Sequence, residues 1–403
     1  MSLSFNIFTF GCKVNQYDSQ LIRSNLIEKG NFIKTDNPDF IIVNMCSLTQ
    51  NAVRKTRLLL NRVKRENPDS KIILTGCIED DVVLDVDYKV HVREKEKIYD
   101  IFDISIPLEY LKDFSGHSRA FVMIQEGCKN FCTYCIVPFM RNIMYSKPVE
   151  VFKKEINLLA KSGFKEIVLT GTHINRYNYK ENTLKDLVDI IEKQPGIERF
   201  RISSIEPNEI DDDFIKIISE SKKFCSHLHL SIQSASNLIL EKMERNYSIK
   251  KVVDIINKLK NIPNFEWSSD FIVGFPGELE QDFNETVEFI KKYKPVFLHV
   301  FPFSKRKGTK AFLMKENLTN KDKKNKAALL REAQKEVQKS VWQKYIGKTL
   351  NILVEKEEDG YYTGYSENYI KVFIKNDKII KKENIYFVKI IDIKNDGLIG
   401  SRI

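Results

Sequence analysis

Over residues 1–110, short apolar or β-branched runs at 5–10, 40–45 and 71–75 alternate with long amphipathic stretches such as 53–65. Runs of this length bounded by Gly, Pro or polar residues read as strands, and the stretches between them as crossover helices. The segment therefore predicts an open parallel α/β sheet. Each run ends at or next to a cysteine: Cys12, Cys46 and Cys77. In open α/β sheets the carboxyl ends of the strands form the ligand-binding edge, so three distant cysteines are expected to meet there.

Residues 115–303 repeat the strand-then-helix theme. Strands are predicted at 121–125, 166–169, 200–203, 227–232, 270–273 and 298–301, and a helix at 151–160 ended by Ser162-Gly163. Six such units fit a partial barrel whose site lies at the carboxyl ends of its strands. Residues 318–345 read as one helix, with Leu330, Ala333, Val337 and Val341 at helical spacing. Beyond Lys348, runs at 350–354, 369–374 and 385–391 are broken by Asp359-Gly360, Asn376-Asp377 and Asn395-Asp396-Gly397, which predicts a small antiparallel barrel. The fold class is α/β, in four parts: 1–112, 113–316, a linker helix at 317–344, and 345–403.

Composition adds two constraints. With 42% apolar and 30% charged residues the chain is neither disordered nor membrane-spanning. Met1 to Phe5 carry no secretory signal, so the expected location is the cytoplasm. Seven cysteines in a reducing compartment are metal ligands or reactive thiols more readily than disulfides. The net charge of +10 is concentrated late: residues 304–344 hold 13 Lys and Arg against 4 Asp and Glu, beginning with Lys305-Arg306-Lys307. That is either the footprint of a nucleic-acid binder or a solvated, lysine-rich helix face.

The sharpest chemical signal is Cys128-x3-Cys132-x2-Cys135, within EGCKNFCTYC at 126–135. Three soft thiolates in a tight loop suit three irons of a cubane, which leaves the fourth iron open for substrate. Zinc is the competing reading, and neither a fourth cysteine nor a nearby histidine in sequence completes its set. Cys225 lies outside these patterns and reads as structural. His227 and His229 alternate on a strand and read as packed or hydrogen-bonded rather than metal-bound.

The C-x3-C-x2-C loop after a first barrel strand resembles the radical S-adenosylmethionine superfamily. With the three early cysteines, the whole chain is similar to its methylthiotransferases, which join an auxiliary-cluster domain, the radical barrel and a C-terminal RNA-binding TRAM domain. GCKVNQYDS at 11–19 is similar to the branch acting on threonylcarbamoyladenosine. Further matches are VLTGTH at 168–173, SSIEP at 203–207, HLHLSIQS at 227–234 with Met243-x-Arg245, DFIVGFPGE at 270–278, FPFS at 301–304 and GYSENY at 364–369.

The resemblance implies that Cys128, Cys132 and Cys135 hold a 4Fe-4S cluster that cleaves S-adenosylmethionine. It implies that Cys12, Cys46 and Cys77 hold a second 4Fe-4S cluster bearing the sulfur to be transferred. Gly171, Thr172, Gln233, Arg245 and Gly274 would line the cosubstrate pocket. Residues 305–310 and the TRAM barrel would grip tRNA near its anticodon. An electron donor and a sulfur source are further implied partners; nothing suggests a membrane or an oligomer. Three departures stand out. The family's basic run after the third cysteine is reduced to Arg141 and Lys147, Cys77 is followed by Ile78-Glu79-Asp80, and Met45 replaces a common threonine. Rival readings are methylthiolation of isopentenyladenosine or of a ribosomal protein side chain, and an iron–sulfur RNA-binding protein without catalysis.

Overall fold

The structure, a computed structural model, describes residues 3–30, 32–48, 50–79, 82–375 and 379–403. Asp80 and the Asn376-Asp377 turn lie outside them. Five parallel strands form the N-terminal sheet, in the order Ile33–Lys34, Ser4–Thr9, Phe40–Cys46, Lys71–Cys77, Tyr88–His91. Its central strands are buried on both faces, with Ile42, Val43, Ile73 and Leu74 wholly buried, which explains why they read as unbroken apolar runs. The order reverses between Ser4–Thr9 and Phe40–Cys46. The switch-point crevice of an open α/β sheet therefore opens where Cys12 and Cys46 lie.

Six parallel strands follow: Ala120–Glu126, Glu166–Gly171, Arg199–Ile202, His227–Gln233, Glu266–Val273 and Phe297–Pro302. They are neighbours in chain order, through ladder pairing and through bridges from Phe200 to Phe224 and from Ile205 to Leu230. The curve stays open between the first and last strands, and so forms the expected partial barrel. The fifth strand starts four residues before the predicted run, because Glu266, Ser268 and Ser269 are buried although polar. Val14 and Tyr17 of the helix Lys13–Glu28 belong to the barrel's own core, so the N-terminal domain is seated on the barrel.

After the helix Asn320–Gln343, the strands Thr349–Glu358, Tyr361–Ser366 and Lys371–Lys375 form an antiparallel meander. Ile385–Lys394 returns beside the first of these, and Gly397–Arg402 closes the barrel between Ile385–Lys394 and Lys371–Lys375. The contact with Lys371–Lys375 is parallel, which gives the five-stranded Greek-key order of an OB-type barrel. Tyr369, which the pattern placed in a strand, instead holds a left-handed turn at φ 66°, and its ring stacks 4.8 Å from that of His227.

This small barrel plugs the amino-terminal end of the large one. Arg199 donates to the Asn351 and Tyr365 carbonyls, and Arg201 to those of Glu367 and Ser366, at 2.5–2.9 Å. Both guanidiniums also bind the fully buried Glu166. Burial alone would raise the Glu166 carboxyl, but Arg199, Arg201 and Arg119 outweigh it and hold it down at about 2. Its contribution to stability is therefore complete above the ordinary value of 4.5 and is lost as pH falls from there towards 2. Acid titration followed by the fluorescence of Trp342, in the small barrel's core, is expected to report undocking in that window. Glu166→Gln, which strands buried arginines without a carboxylate, should cost about 3–5 kcal/mol in denaturant unfolding at neutral pH.

Candidate active site

The three early cysteines do converge. Cys46 and Cys77 pair in register at the ends of adjacent strands. Gly11 lies so close to them that a Cβ there would sit 2.8 Å from Cys46 Cβ. Cys12 is the N-cap of Lys13–Glu28, where the helix dipole favours negative charge. Behind the thiols, Asn15 Nδ2 donates to the Asn44 side chain at 3.2 Å and to the Met45 carbonyl at 2.9 Å, while Asn44 Nδ2 donates to Ser19 Oγ at 3.0 Å. Gly76 has φ 103°, and a Cβ would sit 2.3 Å from the Met45 carbonyl oxygen, so the residue before Cys77 has no room for a side chain. Burial and the neighbouring Cys77 push the Cys46 thiol up to about 12.

Cys128, Cys132 and Cys135 lie in the loop after Ala120–Glu126. Burial, reinforced by Cys132 and Cys128, pushes the Cys135 thiol up to about 12. Arg245 donates to Cys132 Sγ at 3.4 Å and to the Ser231 carbonyl, and ion-pairs with Glu206 at 2.6 Å. His173 lies 3.6 Å from Cys128 Sγ through Nδ1 and 2.7 Å from Glu209 through Nε2. Burial disfavours its charge, but the hydrogen bonds to Cys128 and Glu209 prevail and raise the ring to about 9. His173 and Glu206 appeared in the sequence only inside longer motifs. Their link to the cysteines depends on the loops between strand ends, which no spacing rule reveals.

All seven cysteines are free thiols. Among the described residues neither triad brings three ligand atoms within 4.8 Å of one another. A tetrahedral zinc with bonds of about 2.3 Å requires closer sulfurs, whereas a cubane places each thiolate on a different iron. The donor sets therefore fit clusters better than a single ion.

The two triads share a wall. Ile136 and Met140, just after Cys135, form a buried cluster with Cys77 and Val92. Arg141 reaches from that segment to Asn15 and Asp18 at 2.9 Å each, and to Glu126. Burial raises the Cys77 thiol above its ordinary value, and the Arg141 guanidinium offsets only part of that rise. Lys147 is buried against Glu155 and donates to Tyr17 Oη at 2.7 Å. These two remnants of the basic run are struts between domains.

The five cosubstrate-pocket candidates divide. Gly171 and Thr172 flank the end of the second barrel strand, where Thr172 N donates to the Gln125 carbonyl at 3.3 Å and Thr172 Oγ1 is buried without a partner among the described residues. Gln233 ends the fourth strand with φ 72°, a strained backbone of the kind that collects at functional sites. Arg245 lies against Cys132. Gly274 is instead covered by the buried Lys323 side chain, whose Cγ lies 2.3 Å from the place a Cβ would occupy. Cys225 packs at the other end of the barrel, where Cys225 N donates to the Phe200 carbonyl. His227 and His229 each lie 2.8 Å from Ser268 Oγ, so both are hydrogen-bonded.

Part of the late basic charge is spent internally. Arg306 is buried against Glu79 at 3.4 Å, beside Cys46; Lys310 pairs with Glu244, Lys323 with Glu316 and Lys326 with Glu280. No helix among the described residues is long and apolar enough to cross a membrane.

A sequence model of the radical SAM superfamily matches residues 122–290, and one of an uncharacterized protein family, UPF0004, matches residues 4–89. The threonylcarbamoyladenosine tRNA methylthiotransferase MtaB of Chlamydia pneumoniae is 34% identical over 98% of this chain and 97% of its own length. The enzyme of that name in Bacillus subtilis is 36% identical over 91% of this chain and 89% of its own. This chain belongs to the radical SAM tRNA methylthiotransferases. It is an iron–sulfur enzyme that uses S-adenosylmethionine to methylthiolate tRNA. A tRNA-2-methylthio-N(6)-dimethylallyladenosine synthase from Acetivibrio thermocellus is also similar, at 32% identity over 98% of this chain and 89% of its own. Among solved structures, the radical S-adenosylmethionine methyltransferase TsrM from Kitasatospora setae shares the fold, with TM-score 0.58 and 11% identity over 95% of this chain and 84% of that one.

If Arg141 sets the wall between the triads, Arg141→Gln should lower iron content to about half after anaerobic reconstitution. The loss should fall on the Cys12 triad, read as survival of the S-adenosylmethionine-sensitive signal in electron paramagnetic resonance.

Proposed function

We propose that this enzyme transfers a methylthio group to C2 of N6-threonylcarbamoyladenosine at position 37, in the tRNA anticodon loop. It would hold two 4Fe-4S clusters, on Cys128, Cys132 and Cys135 and on Cys12, Cys46 and Cys77. It would consume two S-adenosylmethionine molecules, one as methyl donor and one as radical source. The observation that carries this reading is the shared wall of Cys77, Ile136, Met140 and Arg141, which supports taking both triads as edges of one site. The substrate branch is supported by GCKVNQYDS at 11–19 and by the names of the first relatives above.

The target C2–H has no acidity that a side chain near neutral pH could use, so acid–base chemistry offers no route. When bound, the clusters supply the reducing electron and the site where sulfur is held; the protein supplies position. Arg245 orients Cys132 through its pair with Glu206, and His173, fixed by Glu209, does so for Cys128. Thr172 Oγ1 is a free polar atom for the cosubstrate. Exposed Lys315, Lys321, Lys324 and Lys339 remain for the phosphate backbone, and the closed C-terminal barrel, read as a TRAM domain, extends that surface. The chain acts as a cytoplasmic monomer supplied by an external reductant and sulfur source.

Mass spectrometry of tRNA nucleosides from cells with and without the gene tests the substrate. Loss of methylthio-threonylcarbamoyladenosine is expected, and loss of methylthio-isopentenyladenosine instead would move the enzyme to the other branch. With reconstituted protein, Cys12→Ala should abolish methylthiolation yet release 5′-deoxyadenosine, whereas Cys132→Ala should abolish both. Wild-type protein with well under about eight irons per chain would contradict the two-cluster assignment.

A further inference from the structure

Inside the barrel, between the cysteine loops and the plug formed by the C-terminal barrel, lies a cavity of about 150 Å³ lined by Lys13, Ser203, His229, Asp270, Phe297 and His299 among others. Tyr369 stacked on His227 closes its floor. On the last strand Phe297, His299 and Phe301 face the lumen and are half-buried or exposed, while Leu298 and Val300 are buried behind them, so the cavity is reached from the open side of the barrel.

The hydrogen bonds in this cavity have one consistent direction. Asp270 Oδ1 lies 3.1 Å from His229 Nε2 and 2.9 Å from His299 Nδ1, and a carboxylate can only accept. His229 Nδ1 is then an acceptor, bonded by the Ser268 hydroxyl at 2.8 Å, and Ser268 Oγ accepts from His227 Nε2 at 2.8 Å. The chain ends at His299, where Nδ1 donates to Asp270 and Nε2 is left as an acceptor. Among the described residues that nitrogen has no partner, and neither does Lys13 Nζ. Arg119 and Arg201 also line the cavity but are paired with Glu166, so it offers one unpaired cation, Lys13, and one open imidazole nitrogen, on a His299 ring held by Asp270.

We propose that this cavity reads the N6 substituent of the modified adenosine, with Lys13 pairing with its carboxylate and His299 Nε2 accepting from its hydroxyl. The inference rests on the substrate reading above and deepens it. His229 lies four residues before the end of its strand at Gln233, about 13 Å at 3.3 Å per residue. C2 and the N6-bearing carbon flank N1 on one ring, and Lys13 directly follows Cys12, so a purine whose C2 faces the Cys12 triad brings its N6 substituent towards Lys13 and the cavity. A threonylcarbamoyl group brings a carboxylate, a hydroxyl and urea N–H groups, whereas an isoprenoid brings only apolar surface and would leave Lys13 Nζ and His299 Nε2 desolvated without a partner.

The test uses anticodon stem-loop RNAs bearing threonylcarbamoyladenosine, its carboxamide analogue, or the glycyl analogue that lacks the hydroxyl. Cluster-replete wild-type enzyme should favour the acid over the amide at least about tenfold in kcat/KM. Lys13→Met should bring that ratio close to one, and Lys13→Arg should restore it. His299→Leu should lower kcat/KM for the threonyl RNA while sparing the glycyl RNA. Should Lys13→Met lose iron because it adjoins Cys12, the His299→Leu comparison decides alone. An unchanged acid-to-amide ratio in iron-replete Lys13→Met, or a tightly held zinc that His299→Leu releases, would overturn the inference in favour of a structural or metal-binding cluster. Wild type acting equally on acid and amide refutes this subsite alone, whereas wild type acting on neither refutes the substrate reading.

Discussion

The site depends on a set of buried charges that locks the N-terminal domain onto the barrel. Arg141 and Lys95 meet Asp18 and Glu126, and Lys147 meets Glu155 and Tyr17, all away from bulk water. Desolvated pairs of this kind add little net stability but tolerate only one arrangement, because a misdocked domain leaves several charges buried without partners. An apolar interface could slide by a residue at small cost. The two cofactor sites proposed above, on separate domains, would require the arrangement that cannot slide.

The same principle recurs at the opposite end of the barrel. Glu166 gathers Arg199 and Arg201, and those arginines spend their remaining donors on backbone carbonyls of the C-terminal barrel. The RNA-binding unit proposed above is therefore not a tethered accessory. It forms the floor of the lumen, and any large substrate group must enter from the open side. Along that side the linker helix packs against the barrel, with Lys323 over Gly274 and Lys326 over the Phe283 ring at 4.2 Å. These basic residues stiffen the entrance as well as adding positive potential to it.

Much of this could be read locally. Strand runs, strand-end cysteines and the C-x3-C-x2-C loop are properties of short segments, and the structure keeps their positions to within a few residues. The failures have a common cause. Arg141 and Lys147 read only as remnants of a basic run because their partners Asp18 and Tyr17 lie more than a hundred residues away. Lys323 looked solvated because nothing local shows that Gly274 lies beneath it. Tyr361–Ser366 lacked the alternation of a strand because hydroxyl-bearing and glycine residues serve inside a small closed barrel. His299 looked unremarkable until the neighbouring strand supplied Asp270. Long-range charge pairing is where the local pattern carries least information, and this enzyme places its interfaces there.

The thiols give a final reason why the two halves belong together. Burial pushes Cys46 and Cys135 up to about 12, so without iron each triad keeps at least one protonated thiol near a buried guanidinium. Ligation would release those protons and leave negative sulfur-rich groups beside Arg141 and Arg245, guanidiniums that already hold Asp18 with Glu126 and Glu206 respectively. Arg141 is carried by the segment that follows the radical triad, yet it acts electrostatically on Cys77 and Cys12 of the other. Filling one site thus orders the element that neutralises the second. On the two-cluster reading the domains are expected to tighten together on iron loading, because the charges that dock them also balance the clusters.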